Sequence, residues 1–421
     1  MKKICIHWIF RGCSRRRLDA KKYSEYFLEN GYQLVSNPKK ADFIILVTCA
    51  FSDKMAETSL SEVEKFKKFN AELIVGGCLP EIEKERLAKI FDGNLVSTKE
   101  IEKIDEIFKD NENKFSDLDD ANRLWTNLNK RSYFHIGKRK TKCILPLEEH
   151  YIRLKNYLIK KIFGENSTFY YLSSNIREKS FYLRISWGCL GNCSYCAIKK
   201  AVGPLKSKPF DQCIKEFRKG ISNGAKNFII AADDIGSYGL DTGRTFTELL
   251  DNLTSIEGDY SIEIEEINTR WVVKYIDELE RIMKRGKIKR ICSPIQSGSE
   301  RILKLMNRYH NKEKIKNSFL RLKNSSKDLI LGTYAIIGFP SETEKDFDET
   351  LEFIKDAGIE WGFLIPFSLK KETLAEKINP KISSNEIKKR VLLSKLFLQK
   401  NNYKIKKIKK ANRLFFDKIK K

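Results

Sequence analysis

A chain of 421 residues, 41% of them apolar, has room for two or three globular domains with sizeable cores. No apolar run approaches the ~20 residues of a membrane span, and ten cysteines without the dense, even spacing of a secreted disulfide scaffold favour a reducing, cytoplasmic setting. The formal net charge of +25 admits an acidic partner such as RNA and equally describes lysines spread over solvated helix faces.

The opening Met1-Lys2-Lys3 and the apolar residues 4–10 mimic a signal peptide, but His7 interrupts the run, Arg11 ends it and no small-residue cleavage site follows. Apolar runs at 4–10, 43–47 and 73–75 alternate with helical patterns at 19–30, 54–69 and 82–90, which reads as a βαβαβ unit. Gly31 suits the end of the first helix, and Ser52 or Asp53 the start of the second. The runs lead into Gly12-Cys13, Thr48-Cys49 and Gly76-Gly77-Cys78, so three thiols distant in sequence arrive at one edge of a parallel sheet. Such an edge is the usual ligand crevice of an open α/β sheet. Gly12, Gly76 and Gly77 are expected to let backbone approach a bulky cofactor there. Singly, each of these cysteines reads as a small buried hydrophobe.

Residues 111–178 read as a linker or insert, rich in Asn, Lys, Asp and Tyr and broken at Pro146 and Gly164. Basic and aromatic mixtures at 131–134, 138–142 and 169–172 fit an elaborated surface or a substrate contact. His135 and His150 lie here, and with His7 and His310 they show no metal-ligand spacing.

The strand-like run 181–186 leads into Gly188-Cys189-Leu190-Gly191-Asn192-Cys193-Ser194-Tyr195-Cys196. Three thiols at CxxxCxxC spacing can converge on one metal centre. Three thiolates on a four-iron cube leave one iron open to a small-molecule ligand, and a strand's carboxyl end is where α/β folds place active sites. A disulfide or a structural zinc is the alternative, although zinc would want a fourth ligand and only Cys213 follows soon. With this loop in view, Cys13, Cys49 and Cys78 together read as a second three-thiolate centre.

Strands expected near 181–186, 227–232, 260–266, 289–295, 329–337 and 361–367 alternate with amphipathic helices, six β/α units that fit a partial barrel. The loops Ala231-Ala232-Asp233-Asp234, continued by 236–239, and Pro294-Ile295-Gln296-Ser297-Gly298 carry small and polar residues suited to a nucleoside. An Asp after a strand is more often a turn or helix cap. Ser383-Ser384-Asn385-Glu386 is a capping box that opens a final helix. Residues 386–421 hold fourteen Lys/Arg against two acids, with Tyr403, Phe415 and Phe416 among them. That mixture suits phosphate contact and base stacking, and an amphipathic helix packed on the barrel accounts for it equally well.

Residues 185–209 resemble the radical S-adenosylmethionine enzymes, and within them the methylthiotransferases, through Gly188-Cys189, Cys193-Ser194-Tyr195-Cys196-Ala197-Ile198, Gly203-Pro204 and Ser207-Lys208-Pro209. The same family is similar at Gly12-Cys13 through Asp19, Thr48-Cys49-Ala50-Phe51 and Gly77-Cys78-Leu79-Pro80. Gly338-Phe339-Pro340-Ser341-Glu342-Thr343, Pro366-Phe367-Ser368 and Thr373-Leu374-Ala375 extend the likeness, which covers most of 1–110 and 181–400. Departures stand at Arg16 and Val47, where the family pattern has Asn, at Val202 for Arg, at Tyr334 for Asp and at Ser341 in the Gly-Phe-Pro segment. Nothing after residue 400 resembles the small all-β RNA-binding domain, of the TRAM kind, that typical relatives carry.

The resemblance implies an α/β protein: an amino-terminal open parallel-sheet, flavodoxin-like domain (1–110) carrying an auxiliary cluster, a linker or insert (111–178), a partial (β/α)6 radical-SAM barrel (179–382) and a basic helical tail (383–421). It implies two 4Fe-4S clusters, one on Cys189, Cys193 and Cys196, whose open iron chelates S-adenosylmethionine, and one on Cys13, Cys49 and Cys78. Tyr195 is expected beside the nucleoside, with Asp233, Asp234, Gln296 and Ser297 in two loops and Gly338, Phe339 and Pro340 in a third as further cofactor contacts. In the family, S-adenosylmethionine is cleaved to a 5′-deoxyadenosyl radical that abstracts a substrate hydrogen, and a methylthio group assembled on the auxiliary cluster takes its place. The expected enzyme inserts that group into an unactivated C–H bond of a tRNA adenosine near the anticodon, with a ribosomal protein or peptide as the alternative substrate. A non-catalytic iron–sulfur RNA-binding or redox protein is a distant alternative. No general base is assigned. The expected partners are tRNA or a protein or peptide substrate, an electron donor such as flavodoxin or ferredoxin, and a sulfur donor, for a cytoplasmic monomer that engages no membrane.

Overall fold

Along the strand Phe43–Thr48, Ile44 and Leu46 face one apolar core and Ile45 and Val47 the other, so this strand is buried on both sides, as the centre of a parallel sheet requires. The structure, a computed structural model, describes residues 1–9, 13–124, 176–408 and 413–419, with 157, 161 and 171. Gly12, His135, His150 and the basic and aromatic runs at 131–134 and 138–142 lie outside the described residues, as does most of 169–172. Among the described residues no helix is long and apolar enough to cross a membrane.

Two compact units emerge, the first built on the amino-terminal residues together with Ala197–Gly203, the second on Lys179–Cys196 and the chain from Pro204 onward. In the first, β1 (Lys3–Trp8), β2 (Gln33–Leu34), β3 (Phe43–Thr48), β4 (Glu72–Gly77) and β5 (Leu95–Ser97) form one parallel sheet in the order β2-β1-β3-β4-β5. That is the flavodoxin-like strand order, reversing direction between β1 and β3. Helices Ser14–Glu29 and Asp53–Phe66 connect the first strands. The first helix begins five residues before the expected 19, because its opening turn is the arginine run 15–17, which carries no apolar period. Gly31 follows it at φ 77°, in the left-handed region that closes a helix. Ser52 stands at the amino end of the second helix, although its hydroxyl makes no capping bond. The expected linker does not begin at 111. Phe115 is buried against Tyr23 and Tyr26 at ring distances of 5.3 and 5.6 Å, which ties this segment to the first unit's core.

In the second unit, six parallel strands, β6 (Phe181–Arg184), β9 (Asn227–Ala231), β10 (Ser261–Ile264), β11 (Ile288–Cys292), β12 (Ile330–Ile337) and β13 (Trp361–Pro366), lie in sequence order. The short strands β7 (Ser186–Trp187) and β8 (Lys206–Ser207) form a separate antiparallel pair that brackets the cysteine loop. Leu183, Ile230, Ile262, Ile264, Ile291 and Leu331 belong to the large apolar core. The alternate residues, among them Arg184, Glu263, Arg290, Tyr334 and Phe363, fall on the opposite face. Tyr334, the departure from the family's Asp, packs there by its ring on Phe363 (5.4 Å) and Trp361 (6.1 Å).

The expected helical tail is only partly a helix. Ser383 accepts from the Glu386 backbone N–H at 3.1 Å and caps the helix Ser384–Lys400 as expected. Beyond it the chain forms β14 (Tyr403–Ile408) and β15 (Arg413–Lys418), with β15 antiparallel to β13 and β14 outside it, completing the order β14-β15-β13-β12-β11-β10-β9-β6. Tyr403, Phe415 and Phe416 are at most 2% exposed, so they serve as core and not as stacking platforms for bases.

Candidate functional site

The parallel order of the first sheet carries the carboxyl ends of β1, β3 and β4 to one edge, and a thiol follows closely at each. Cys13 stands at the amino end of the helix Ser14–Glu29, in its N-cap position. Cys49 is held by Ser59 of the next helix, which donates to the Cys49 carbonyl at 2.6 Å and accepts from the Cys49 N–H at 3.2 Å. Cys78 is fixed by Thr48, whose carbonyl accepts from the Cys78 N–H and whose hydroxyl accepts from the Leu79 N–H, both at 3.2 Å. Gly77 has φ 94°, and a Cβ there would fall 2.4 Å from the Thr48 carbonyl oxygen. Glycine is therefore required there by the close approach of β4 to β3.

Burial pushes the Cys78 thiol up to about 12; Arg16 pulls it the other way, and the neighbouring Cys13 and Cys49 add to the rise. Three thiols that feel one another's charge occupy one locale. Arg16, where the family pattern has Asn, is buried and paired with Asp19 at 3.0 Å, so this chain sets a cation beside the triad.

In the second unit, the hairpin of β7 and β8 forces the turn that starts the cysteine loop. Gly188 has φ 77°, and any Cβ would overlap the Pro204 carbonyl oxygen at 1.8 Å. Its N–H donates to Asp233 Oδ2 at 3.1 Å. Gly191 donates from its backbone to Cys189 Sγ at 3.1 Å. Ser194 is bound three times: its N–H to the Met306 carbonyl (3.0 Å), its hydroxyl to the Leu305 carbonyl (2.7 Å) and its own carbonyl to the Ala375 N–H (2.8 Å). Burial pushes the Cys189 thiol up to about 12, followed by the Asp234 carboxylate and the thiols of Cys196 and Cys193, while the Gly191 N–H opposes the rise.

The expected cofactor contacts divide. Tyr195 and Phe339 share an apolar patch with Met306, Ile336 and Phe367, so the cysteine loop and the Gly-Phe-Pro loop do meet. Gly338 has φ 78° and donates to Glu342 Oε2 at 2.7 Å, and Pro340 beyond it is buried. Gln296 takes φ 67° and bridges to β12 through its backbone, accepting from Ile336 and donating to Tyr334. Asp233 and Asp234 serve the loop itself. Asp234 accepts from Arg270 Nη2 and Trp271 Nε1, each at 2.8 Å, and its carboxylate lies 3.8 Å from Cys189 Sγ. Ser297 is buried, with its hydroxyl on Thr350 (3.2 Å) and on the Ser299 N–H (3.1 Å), so it braces the loop from inside. Ser341 has φ 70°, a conformation that explains the Gly of the family pattern, and is held by Arg301 at 2.9 Å.

Sequence reasoning missed several residues here. Arg308 reaches Cys193 Sγ at 3.8 Å and the Pro294 carbonyl at 2.6 Å, and Asn307 donates to the Asn192 carbonyl at 3.2 Å. Arg390 of the C-terminal helix forms a buried ion pair with Glu342 at 2.6 Å. Burial raises the Glu342 carboxyl to about 7 against the pull of the Gly338 N–H and Arg390. Apart from Pro294, these partners lie 48 to 115 residues away in sequence, and no local pattern announces them.

The donor sets fit polynuclear iron–sulfur centres. None of the six cysteines is in a disulfide, and each triad gathers at strand ends. Among the described residues no three His, Cys, Asp or Glu side chains form a single-ion site, and thiolates are the ligands that iron–sulfur centres take. Cations stand close by in Arg16 and Arg308, as an anionic centre requires.

Residues 183–354 match the radical SAM superfamily and residues 5–97 match Uncharacterized protein family UPF0004. The chain is 30% identical over 405 residues to the ribosomal protein uS12 methylthiotransferase RimO of Clostridium acetobutylicum, covering 93% of this chain and 80% of that one. It is 27% identical over 368 residues to a probable threonylcarbamoyladenosine tRNA methylthiotransferase of Methanocaldococcus jannaschii, covering 87% and 76%. Its fold is similar to that of the radical S-adenosylmethionine methyltransferase TsrM from Kitasatospora setae, with TM-score 0.59 and 10% identity over 89% of this chain and 77% of that one. Carrying both matched regions in that order and this likeness over most of its length, the chain belongs to the radical S-adenosylmethionine methylthiotransferases, enzymes that use S-adenosylmethionine and two 4Fe-4S clusters.

Proposed function

We propose that Cys189, Cys193 and Cys196 hold the cluster that binds S-adenosylmethionine, that Cys13, Cys49 and Cys78 hold the auxiliary cluster, and that the product is a methylthiolated tRNA adenosine. The observation that carries the assignment is the gathering of two separate thiol triads, one at the carboxyl ends of three parallel strands and one in a single loop bracketed by β7 and β8. When bound, the clusters supply one-electron reduction and transferable sulfur. The chain's own residues hold the geometry. Gly188, Asp233 and Ser194 fix the loop that presents three thiolates. Tyr195, Phe339 and Met306 give one side of the site an apolar wall that excludes water from the reacting centre. Glu342 and Arg390 keep the Gly338 turn in place beneath that wall.

The net charge of +25 supports tRNA as substrate, as do the exposed Lys388, Lys389, Lys395 and Lys400 along one helix. A ribosomal protein side chain is the second reading, favoured by the similarity at 30% identity to ribosomal protein uS12 methylthiotransferases. The test is mass spectrometry of tRNA nucleosides and ribosomal proteins from cells with and without the gene, paired with an anaerobic assay of S-adenosylmethionine cleavage. A methylthiolated nucleoside that disappears with the gene is the expected result. A modified ribosomal protein with unchanged tRNA selects the second reading, and a reconstituted protein that cleaves no S-adenosylmethionine rejects both.

A further inference from the structure

The turn after the helix Glu300–Leu305 is bound to the cysteine loop at several points, and it delivers one cation to one sulfur. Met306 and Leu305 offer their carbonyls to Ser194, and Asn307, in the left-handed region at φ 53°, reverses the chain and donates to the Asn192 carbonyl. The Arg308 backbone closes on Leu303 at 2.9 Å. Its guanidinium donates through Nη2 to the Pro294 carbonyl at 2.6 Å and through Nη1 to Cys193 Sγ at 3.8 Å, while its Nε is buried with no hydrogen-bond partner. The nearby carboxylate of Asp234 is already taken by Arg270 and Trp271. A guanidinium stays charged at every pH a protein meets. A cation fixed this firmly, partly buried and against a ligating sulfur, therefore faces whatever negative charge the centre carries.

We infer that Arg308 is a positioning residue that raises the reduction potential of the cluster held by Cys189, Cys193 and Cys196. The inference rests on the assignment of that cluster to these cysteines. Reduction adds one electron, supplied by an external low-potential one-electron donor, and no bond or proton changes hands. The added negative charge is stabilised by a fixed positive charge at short range in a partly buried site, where it is screened less than in bulk water, and charge and hydrogen bonds at the sulfurs are established levers on cluster potentials. Asp234, at 3.8 Å from Cys189, acts in the opposite sense, and Arg270 partly offsets it.

The experiment is an anaerobic redox titration followed by electron paramagnetic resonance, on the full chain with Cys13, Cys49 and Cys78 replaced by Ala so that a single cluster is read. In that background Arg308→Gln is expected to shift the midpoint to a more negative potential at unchanged iron content, and Arg308→Lys, which keeps the charge, to stay near the parent. An unmoved midpoint in Arg308→Gln overturns the inference, as does an equal shift in both variants, which would mark a purely structural role. If Arg308→Gln loses its iron, Asp234→Asn is read in its place: removal of this anion should move the midpoint to a less negative value, and no movement overturns the inference. A parent without any cluster would sink the cysteine assignment and this inference with it, whereas an intact cluster with an insensitive potential sinks this inference alone.

Discussion

His7 shows how one side chain sets a pH dependence. Its ring lies 4.8 Å from that of Phe66, and burial, countered by Glu62 and reinforced by Lys65, lowers its pKa from 6.5 to about 4. The folded protein keeps His7 neutral while the unfolded chain takes up a proton near 6.5. Stability of the amino-terminal unit should therefore fall as the pH drops through 6.5 and stop falling near 4, by a total on the order of 3 kcal/mol. Urea unfolding at a series of pH values checks this, and His7→Gln should flatten the profile; an identical slope in the variant would show that other groups set it. The cysteines were legible in the sequence because spacing and strand ends betray them. Arg308, Asn307 and Arg270 were not, since each acts on the cysteine loop or on Asp234 from 36 to 115 positions away in sequence. The glycines were legible as special, and the structure adds what they answer to: Gly77 to the Thr48 backbone and Gly188 to Pro204.

At the scale of elements, strands with continuous apolar runs were found close to their bounds, whereas β2, with two residues, and β5, with three, were too short to show a period. The hairpin of β14 and β15 was misread because its alternation of Lys with Ile and Tyr has the same charge density as an RNA-binding tail. Burial decides otherwise, and Phe416→Ala should cost about 3–5 kcal/mol, read as a lowered urea midpoint of the carboxyl-terminal unit. A loss under about 1 kcal/mol would mean that the hairpin is dispensable. The C-terminal helix carries a second dependence. Arg390→Met strands Glu342 in the interior and should cost about 3–5 kcal/mol, while the double replacement Arg390→Met with Glu342→Leu should recover most of it. If the double variant is as unstable as the single one, packing of Arg390 matters more than its charge.

For the whole molecule, anaerobic reconstitution should load about eight irons, and replacing either triad of cysteines with Ala should leave about four. Chemical iron and sulfide analysis of the three proteins checks this, and about four irons in the unmodified chain would contradict two clusters. The sequence divided the chain into four segments where contacts give two units, and the allegiance of Ala197–Gly203 was not legible, because those residues follow the last cysteine of one unit and belong to the other. The order of the larger sheet has a consequence for synthesis. β15, the later strand of the hairpin, lies inside, and β14, made before it, lies outside. Between completion of β13 at Pro366 and of β15 at Lys418 the ribosome needs roughly 3–10 s at ordinary elongation rates. For that interval the edge of β13, with Phe363 on it, is a nascent strand without its neighbour, and it is there that a chaperone would have to shield the chain from pairing with another copy.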